Sequence, residues 1–237
     1  MTRCQIILTA NSGIVIECNG AKVFCDALHR KKTREFSTVD EKMQLQMLNS
    51  PNFKNADAMI FTHKHPDHYS NFLITQAKKL TPDAVIISPV DEFQNQVLLY
   101  ENEHRFEHLK FSAEFIKLTH DGKEYTNIPN YGYYLNFGGF TVLNTGDSSI
   151  ADPTLIKWLE NKPVDLALLN FPWLTIKRGR DFIEQHIKPR HLMFFHIPFE
   201  KDNISGFREA CFKSVPLMKC PNDVRLLCEP FQIETIE

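Results

Sequence analysis

Three short apolar runs open the chain, at residues 6–8, 14–16 and 23–25, divided by the turn strings Asn11-Ser12-Gly13 and Asn19-Gly20. Runs this short between turn residues predict consecutive antiparallel strands, the third ending at Asp26. Over 37–50 the spacing of Met43, Met47 and Leu48 predicts a helix, with Ser37 or Thr38 as its cap. Residues 56–63 read as a strand, 69–80 as a helix, 84–89 as a strand and 91–101 as a helix.

The second half continues the alternation. Residues 114–120 read as a strand, and 131–147 as a hairpin turning at Gly138-Gly139. Asp152-Pro153 opens a helix over 152–160, followed by an all-apolar strand at 164–170 and a helix at 181–189. A strand at 191–196, a helix at 204–214 and a strand at 224–228 close the pattern. Strands alternating with helices after an antiparallel meander predict sheets covered by helices on their outer faces. No linker composition interrupts the 237 residues, so one domain over 1–237 is expected.

Composition narrows the function classes. Hydrophobic residues make up 43% and charged residues 24%, enough for a buried core. The net charge of −2 gives no overall pull toward nucleic acid or an anionic membrane. No apolar run reaches membrane-spanning length, and the first residues lack a signal-peptide pattern. Six cysteines without a C-x-x-C pair read as reduced, mostly buried thiols, so a cytoplasmic location is expected.

The chemistry is concentrated at strand ends. His63, His65, Asp67 and His68 follow one strand within six residues, and His120, Asp147 and His196 each close a later one. Strand ends converge when strands lie side by side, so distant segments can build one pocket. Imidazole and carboxylate suit zinc, with manganese or iron also accepted. An extended backbone at His63 and His65 sends both rings to one side, and the turn at Pro66 lets Asp67 and His68 face a second position. Seven donors exceed the four of one zinc ion, which points to two ions sharing a bridge. Asp147 follows Gly146 and could cap a turn, but its place after a strand fits a ligand better. His29, His104, His108, His186 and His191 read as ordinary, and Tyr69 as a packing residue.

The string T-H-x-H-x-D-H at 62–68, then His120, Thr145-Gly146-Asp147 and His196 in order, resembles the metallo-β-lactamase superfamily. Asn11-Ser12-Gly13 and Asp26 also match the superfamily's opening, and the resemblance runs from about residue 5 to residue 228. It implies an αβ/βα four-layer sandwich with the site where the two sheets meet. His63, His65 and His120 would then hold one ion, and Asp67, His68 and His196 the other. Asp147 would bridge them, and Asp26 would brace the histidine loop from behind. The pattern falls on the superfamily's hydrolytic side, close to small members such as the ascorbate-6-phosphate lactonase group. Flavin-linked di-iron members carry Glu at the position of His65, which disfavours a redox role.

The function expected is a dinuclear metal-dependent hydrolase acting on an ester, lactone or phosphoester through a hydroxide shared by the ions. Asp67 is the expected proton shuttle. A silent metal-binding protein of the same fold is the alternative, and a nuclease or phosphodiesterase ranks behind it for want of a basic surface. Two basic runs, His29 to Arg34 and Lys177-Arg178-Gly179-Arg180, follow strands of the ligand-bearing set. Both are expected to overhang the site, with Lys177, Arg178 and Arg180 contacting an anionic small-molecule substrate. Neither nucleic acid nor a membrane is expected as a partner.

Overall fold

The computed structural model describes residues 3–221 and 223–237. Strands β1 (Cys4–Leu8), β2 (Ile14–Cys18) and β3 (Ala21–Cys25) form the opening meander, followed by α1 (Glu41–Asn49). Next come β4 (Ala58–Ile60), α2 (Asn71–Leu80), β5 (Val85–Ser88), β6 (Val97–Leu98), β7 (Glu103–Glu107) and β8 (Ser112–Leu118). The hairpin is β9 (Asn130–Phe137) and β10 (Phe140–Asn144), then α3 (Thr154–Trp158) and β11 (Leu166–Asn170). The chain continues through α4 (Pro172–Thr175), α5 (Lys177–Phe182), β12 (His191–Phe195), α6 (Phe207–Ser214), β13 (Asp223–Leu226) and β14 (Ile233–Ile236).

These strands build two seven-stranded sheets, in the orders β14-β1-β2-β3-β4-β5-β6 and β13-β12-β11-β10-β9-β8-β7. Each sheet is antiparallel on one side and parallel on the other, β3 to β6 in the first and β10 to β13 in the second. In β11 and β12 the side chains alternate between two cores. Leu166, Leu168, Met193 and Phe195 pack into the core shared with the first sheet. Ala167, Leu169, Leu192 and Phe194 pack with the outer helices. Burial on both faces explains why these strands are apolar throughout rather than alternating. On the first sheet, Met47 of α1 and Leu73 and Ala77 of α2 gather around Phe24 of β3. The architecture is helix, sheet, sheet, helix. No helix among the described residues is long and apolar enough to cross a membrane. All six cysteines are free thiols, and only Cys220 is exposed.

The structure departs from the sequence reading at four places. Residues 91–101 are not a helix. The Gln96 side chain accepts from the Glu92 and Phe93 amides, at 3.2 and 2.8 Å, and donates to the Val90 carbonyl at 2.7 Å. That side-chain clasp holds a turn, and Val97–Leu98 then adds to the sheet edge beside β5. The edge strand β7 was hidden because all five of its residues are at least partly exposed and show no apolar face. β14 pairs with β1, Cys4 opposite Ile236, so the chain does not end its structure at β13. The cap of α1 is Asp40, whose Oδ1 accepts the Met43 amide at 2.9 Å. Ser37 is unavailable there because its hydroxyl accepts the Phe199 amide at 2.9 Å.

Candidate metal centre

The site assembles from the ends of β3, β4, β8, β10, β11 and β12. Two of its residues, Asp26 after β3 and His196 after β12, take left-handed backbone angles, φ 49° and φ 63°. Non-glycine residues adopt this region at a cost, and here it bends the chain as each strand stops, with His196 lining the cavity and Asp26 lying behind the histidine loop. The β1–β2 turn ties the segments together. The Asn11 carbonyl accepts the His196 amide at 2.9 Å, and the Ser12 hydroxyl donates to the Asp67 carbonyl. Asn11-Ser12-Gly13 therefore works as a clamp between two ligand-bearing segments.

Asp26 organises the histidine loop. Its Oδ1 accepts the Thr62 amide at 2.8 Å, and its Oδ2 accepts the Thr62 hydroxyl at 2.6 Å and His68 Nδ1 at 2.9 Å. These contacts fix protons as well as positions. The Thr62 hydroxyl donates its hydrogen bond to Asp26, so at 2.9 Å it accepts from His63 Nδ1–H. His120 Nδ1 lies 2.6 Å from the Asp121 carbonyl, which can only accept. His63 and His120 as neutral rings thus present bare Nε2 atoms to the pocket, and His68 turns its Nε2 the same way.

Those atoms cluster in two groups, His63, His65, His120 and Asp147 in one, and Asp67, His68 and His196 in the other, each within 4.8 Å. His65 Nδ1 lies 3.1 Å from His63 Nε2 and 3.2 Å from His120 Nε2. A single proton on His65 could serve only one of these two lone pairs. A cation can serve all three donors, and a tetrahedral ion with bonds of about 2.0–2.2 Å holds its ligands about 3.3–3.6 Å apart. In the second group His68 Nε2 lies 3.2 Å from His196 Nε2, and Asp67 Oδ2 lies 3.7 Å from His196 Nε2. Asp147 Oδ2 stands between the groups, 3.9 Å from His63, 3.2 Å from His68 and 3.5 Å from His196. The donors present fit divalent metal ions in kind, spacing and tautomer.

Charge follows the same layout. Burial, reinforced by His68, holds His63 well below the ordinary imidazole value, and burial together with His120 lowers His65. Burial opposes charge on His68 and Asp147 as well. There the opposite charges win: Asp147 and Asp26 hold His68 well above its ordinary value, and His68 and His196 hold Asp147 well below its own. Without an ion, the proton on His68 supplies the positive charge that the carboxylates demand.

Three further residues set the position of Asp147. Its amide donates to Asn130 Oδ1 at 3.0 Å, and its Oδ1 accepts from Asn170 Nδ2 at 3.2 Å. Gly146 makes the first contact feasible: at φ 55° a Cβ there would lie 2.5 Å from Asn130 Oδ1 and 3.0 Å from Thr62. Sequence reasoning missed Thr62, Asn130 and Asn170. Asn170 was findable, because it closes β11 as the ligand candidates close their own strands.

No family model and no curated protein sequence matches the chain. Solved structures do. A possible metal-dependent hydrolase from Veillonella parvula superposes with TM-score 0.68 over 98% of this chain and 99% of its own, at 15% identity. The metallo-β-lactamase fold protein YhfI from Bacillus subtilis superposes with TM-score 0.63 over 99% of both chains, at 14% identity. This chain has the metallo-β-lactamase fold. The diiron β-hydroxylase CmlA from Streptomyces venezuelae also superposes, with TM-score 0.66 over 98% of this chain at 13% identity. The chain spans 54% of that longer protein.

On this metallo-β-lactamase fold a cavity of about 360 Å³ opens over the donors. Phe36, Phe171 and Pro172 form one wall and Tyr125 stands on the other, its ring 4.8 Å from that of His65. Phe36 meets the His196 ring edge-on at 4.6 Å. The two basic runs lie in different places. Thr33 and Arg34 line the cavity, but Lys177, Arg178 and Arg180 do not. Those three lie on α5 rather than on a loop, and each has another use. Lys177 pairs with Asp181, Arg180 donates to the Leu174 and Thr175 carbonyls, and Arg178 lines a separate hollow beside Ala151. Tyr69 is buried against Phe61 and donates to Glu92, as a packing residue would.

Proposed function

We propose that the chain is a metal-dependent hydrolase whose two neighbouring donor groups each hold a divalent ion, zinc first, with manganese or iron accepted by the same donors. Ions bound there would ionise water near neutral pH and polarise a substrate oxygen. The observation that carries this reading is the convergence of His63 Nε2, His65 Nδ1 and His120 Nε2, lone pairs that no single proton can serve.

The chain's own residues supply the remainder. Asp26, Thr62 and Asp121 hold the rings in the donor tautomer before any ion arrives, so little reorganisation accompanies binding. Asp147, fixed by Asn130 and Asn170, keeps one oxygen between the groups. Asp67 turns Oδ2 toward His196 at the cavity floor, where a carboxylate can take up and hand on a proton during ester, lactone or phosphoester cleavage. Phe36, Phe171 and Pro172 exclude water from one side and offer an apolar seat. At about 360 Å³ the space suits a small molecule.

The test is a panel of esters, lactones, thioesters, phosphodiesters and β-lactams with zinc- and manganese-reconstituted protein. Turnover of at least one class that is lost in His63→Ala supports the reading. No turnover of any class by fully loaded protein would count against it.

A further inference from the structure

The run His29 to Arg34 follows Asp26, and its members divide by what they touch. His29 is buried, with Nε2 2.8 Å from the Ala10 carbonyl. The Arg30 guanidinium lies 4.3 Å from the centre of the Phe72 ring, and Lys32 pairs with Asp202. Arg34 differs. It is exposed, it lines the cavity, and among the described residues its guanidinium has no hydrogen bond or ion pair. It is also the one lysine or arginine among the described residues lining that cavity.

The turn presenting Arg34 is pinned on every side. The Phe36 amide donates to the Thr33 carbonyl at 3.0 Å, closing a tight turn with Arg34 at φ 53°. Such an angle is disfavoured for any residue but glycine, and it persists only where the surroundings enforce it. Here they do. The Glu35 carboxylate accepts the Ser205 amide at 2.9 Å and the Ser205 hydroxyl at 2.6 Å. Phe36 packs on His196 at 4.6 Å, and the Ser37 hydroxyl holds the Phe199 amide. The backbone under Arg34 is therefore ordered before any ligand binds, which lowers the entropic cost of using its side chain.

We propose that Arg34 binds a carboxylate or phosphate group that the substrate carries away from its scissile bond, with the apolar body between them lying on Phe36, Phe171 and Pro172. The planar guanidinium offers paired donors that match such an oxyanion. Three lines of structure converge on this: an unpaired cation at the cavity mouth, a strained and anchored turn that aims it, and an apolar wall leading toward the donors. The position of the scissile bond rests on the hydrolase reading; the oxyanion contact does not.

The experiment separates the two. Binding of 4-hydroxybenzoate, 4-hydroxybenzamide and 4-hydroxyphenyl phosphate is measured by calorimetry on metal-free and zinc-loaded protein. Hydrolysis of 4-acetoxybenzoate and 4-acetoxybenzamide is followed on the loaded protein. Wild type should prefer an anionic probe to the amide by about 10-fold, with or without zinc, as a charge-assisted contact predicts. Arg34→Gln should erase that preference and raise KM for 4-acetoxybenzoate more than for 4-acetoxybenzamide, and Arg34→Lys should restore part of it. Absence of the preference in wild type, or its survival in Arg34→Gln, overturns the assignment even if both esters are cleaved. A preference that depends on Arg34 while neither ester is cleaved upholds Arg34 and counts against the hydrolase reading.

Discussion

Asp26 accepts a hydrogen bond from His68 Nδ1–H across 2.9 Å, and through Thr62 the same carboxylate also sets the tautomer of His63. One side chain behind the pocket thus governs a donor in each group. Asp26→Asn should keep the Thr62 amide contact but oppose an N–H to His68 Nδ1–H, forcing His68 to turn or change tautomer. Metal affinity measured by chelator competition should fall about 10–100-fold, the usual loss when such a bracing partner is removed. An affinity equal to wild type would remove Asp26 from this role.

Metal content follows from the two donor groups. Protein reconstituted with zinc should carry close to two ions per chain by elemental analysis, and Asp147→Ala should lose occupancy at both because its Oδ2 lies between them. Loading should also release protons at neutral pH, since Asp147 and Asp26 hold His68 protonated when no ion is present. Calorimetry in buffers of different ionisation enthalpy reads that release directly. Zero bound metal after reconstitution would end the assignment of the centre.

The strands that carry these donors were legible because each is apolar and short and stops at a histidine or aspartate. β4 before His63 and β12 before His196 are the clearest cases. What the sequence hid has physical reasons. β7 and β14 lie at or near sheet edges with half-exposed side chains, so no hydrophobic face marks them. Phe93, Val97 and Tyr100 stand at helical spacing, yet Gln96 holds a turn there through side-chain hydrogen bonds that the spacing does not show. The fate of the two basic runs could not be read either. Whether an arginine is free depends on partners far along the chain, such as Ser205 for the turn of Arg34.

Asp67 combines two proposed tasks, as a metal ligand beside His196 and as the group that moves a proton. Asp67→Asn keeps the shape but removes the charge. Turnover should fall by at least about 100-fold, the scale of general acid–base assistance, with a smaller loss of metal. Comparing kcat at matched metal loading separates the tasks: near-normal kcat in a fully loaded Asp67→Asn protein would leave Asp67 a ligand and nothing more.

His29 gives the molecule an acid-sensitive term that does not depend on turnover. Its ring is fully buried, with Nε2 donating to the Ala10 carbonyl and Nδ1 without any partner. Burial, with the nearby His68 and His196, lowers its pKa from 6.5 to about 4, against the opposing pull of the Ala10 carbonyl and Asp67. Between those values the unfolded chain binds a proton that the native protein refuses, so stability falls as pH drops through this window. At about 1.4 kcal/mol per pH unit the loss reaches roughly 3 kcal/mol. His29→Gln retains an N–H donor but cannot titrate. In metal-free protein its stability should lie below wild type at pH 7, and the gap should narrow steadily toward pH 4.5 in urea unfolding. Other buried histidines titrate in both proteins and cancel in the difference. Parallel stability curves for the two proteins across this range would show that His29 titrates normally.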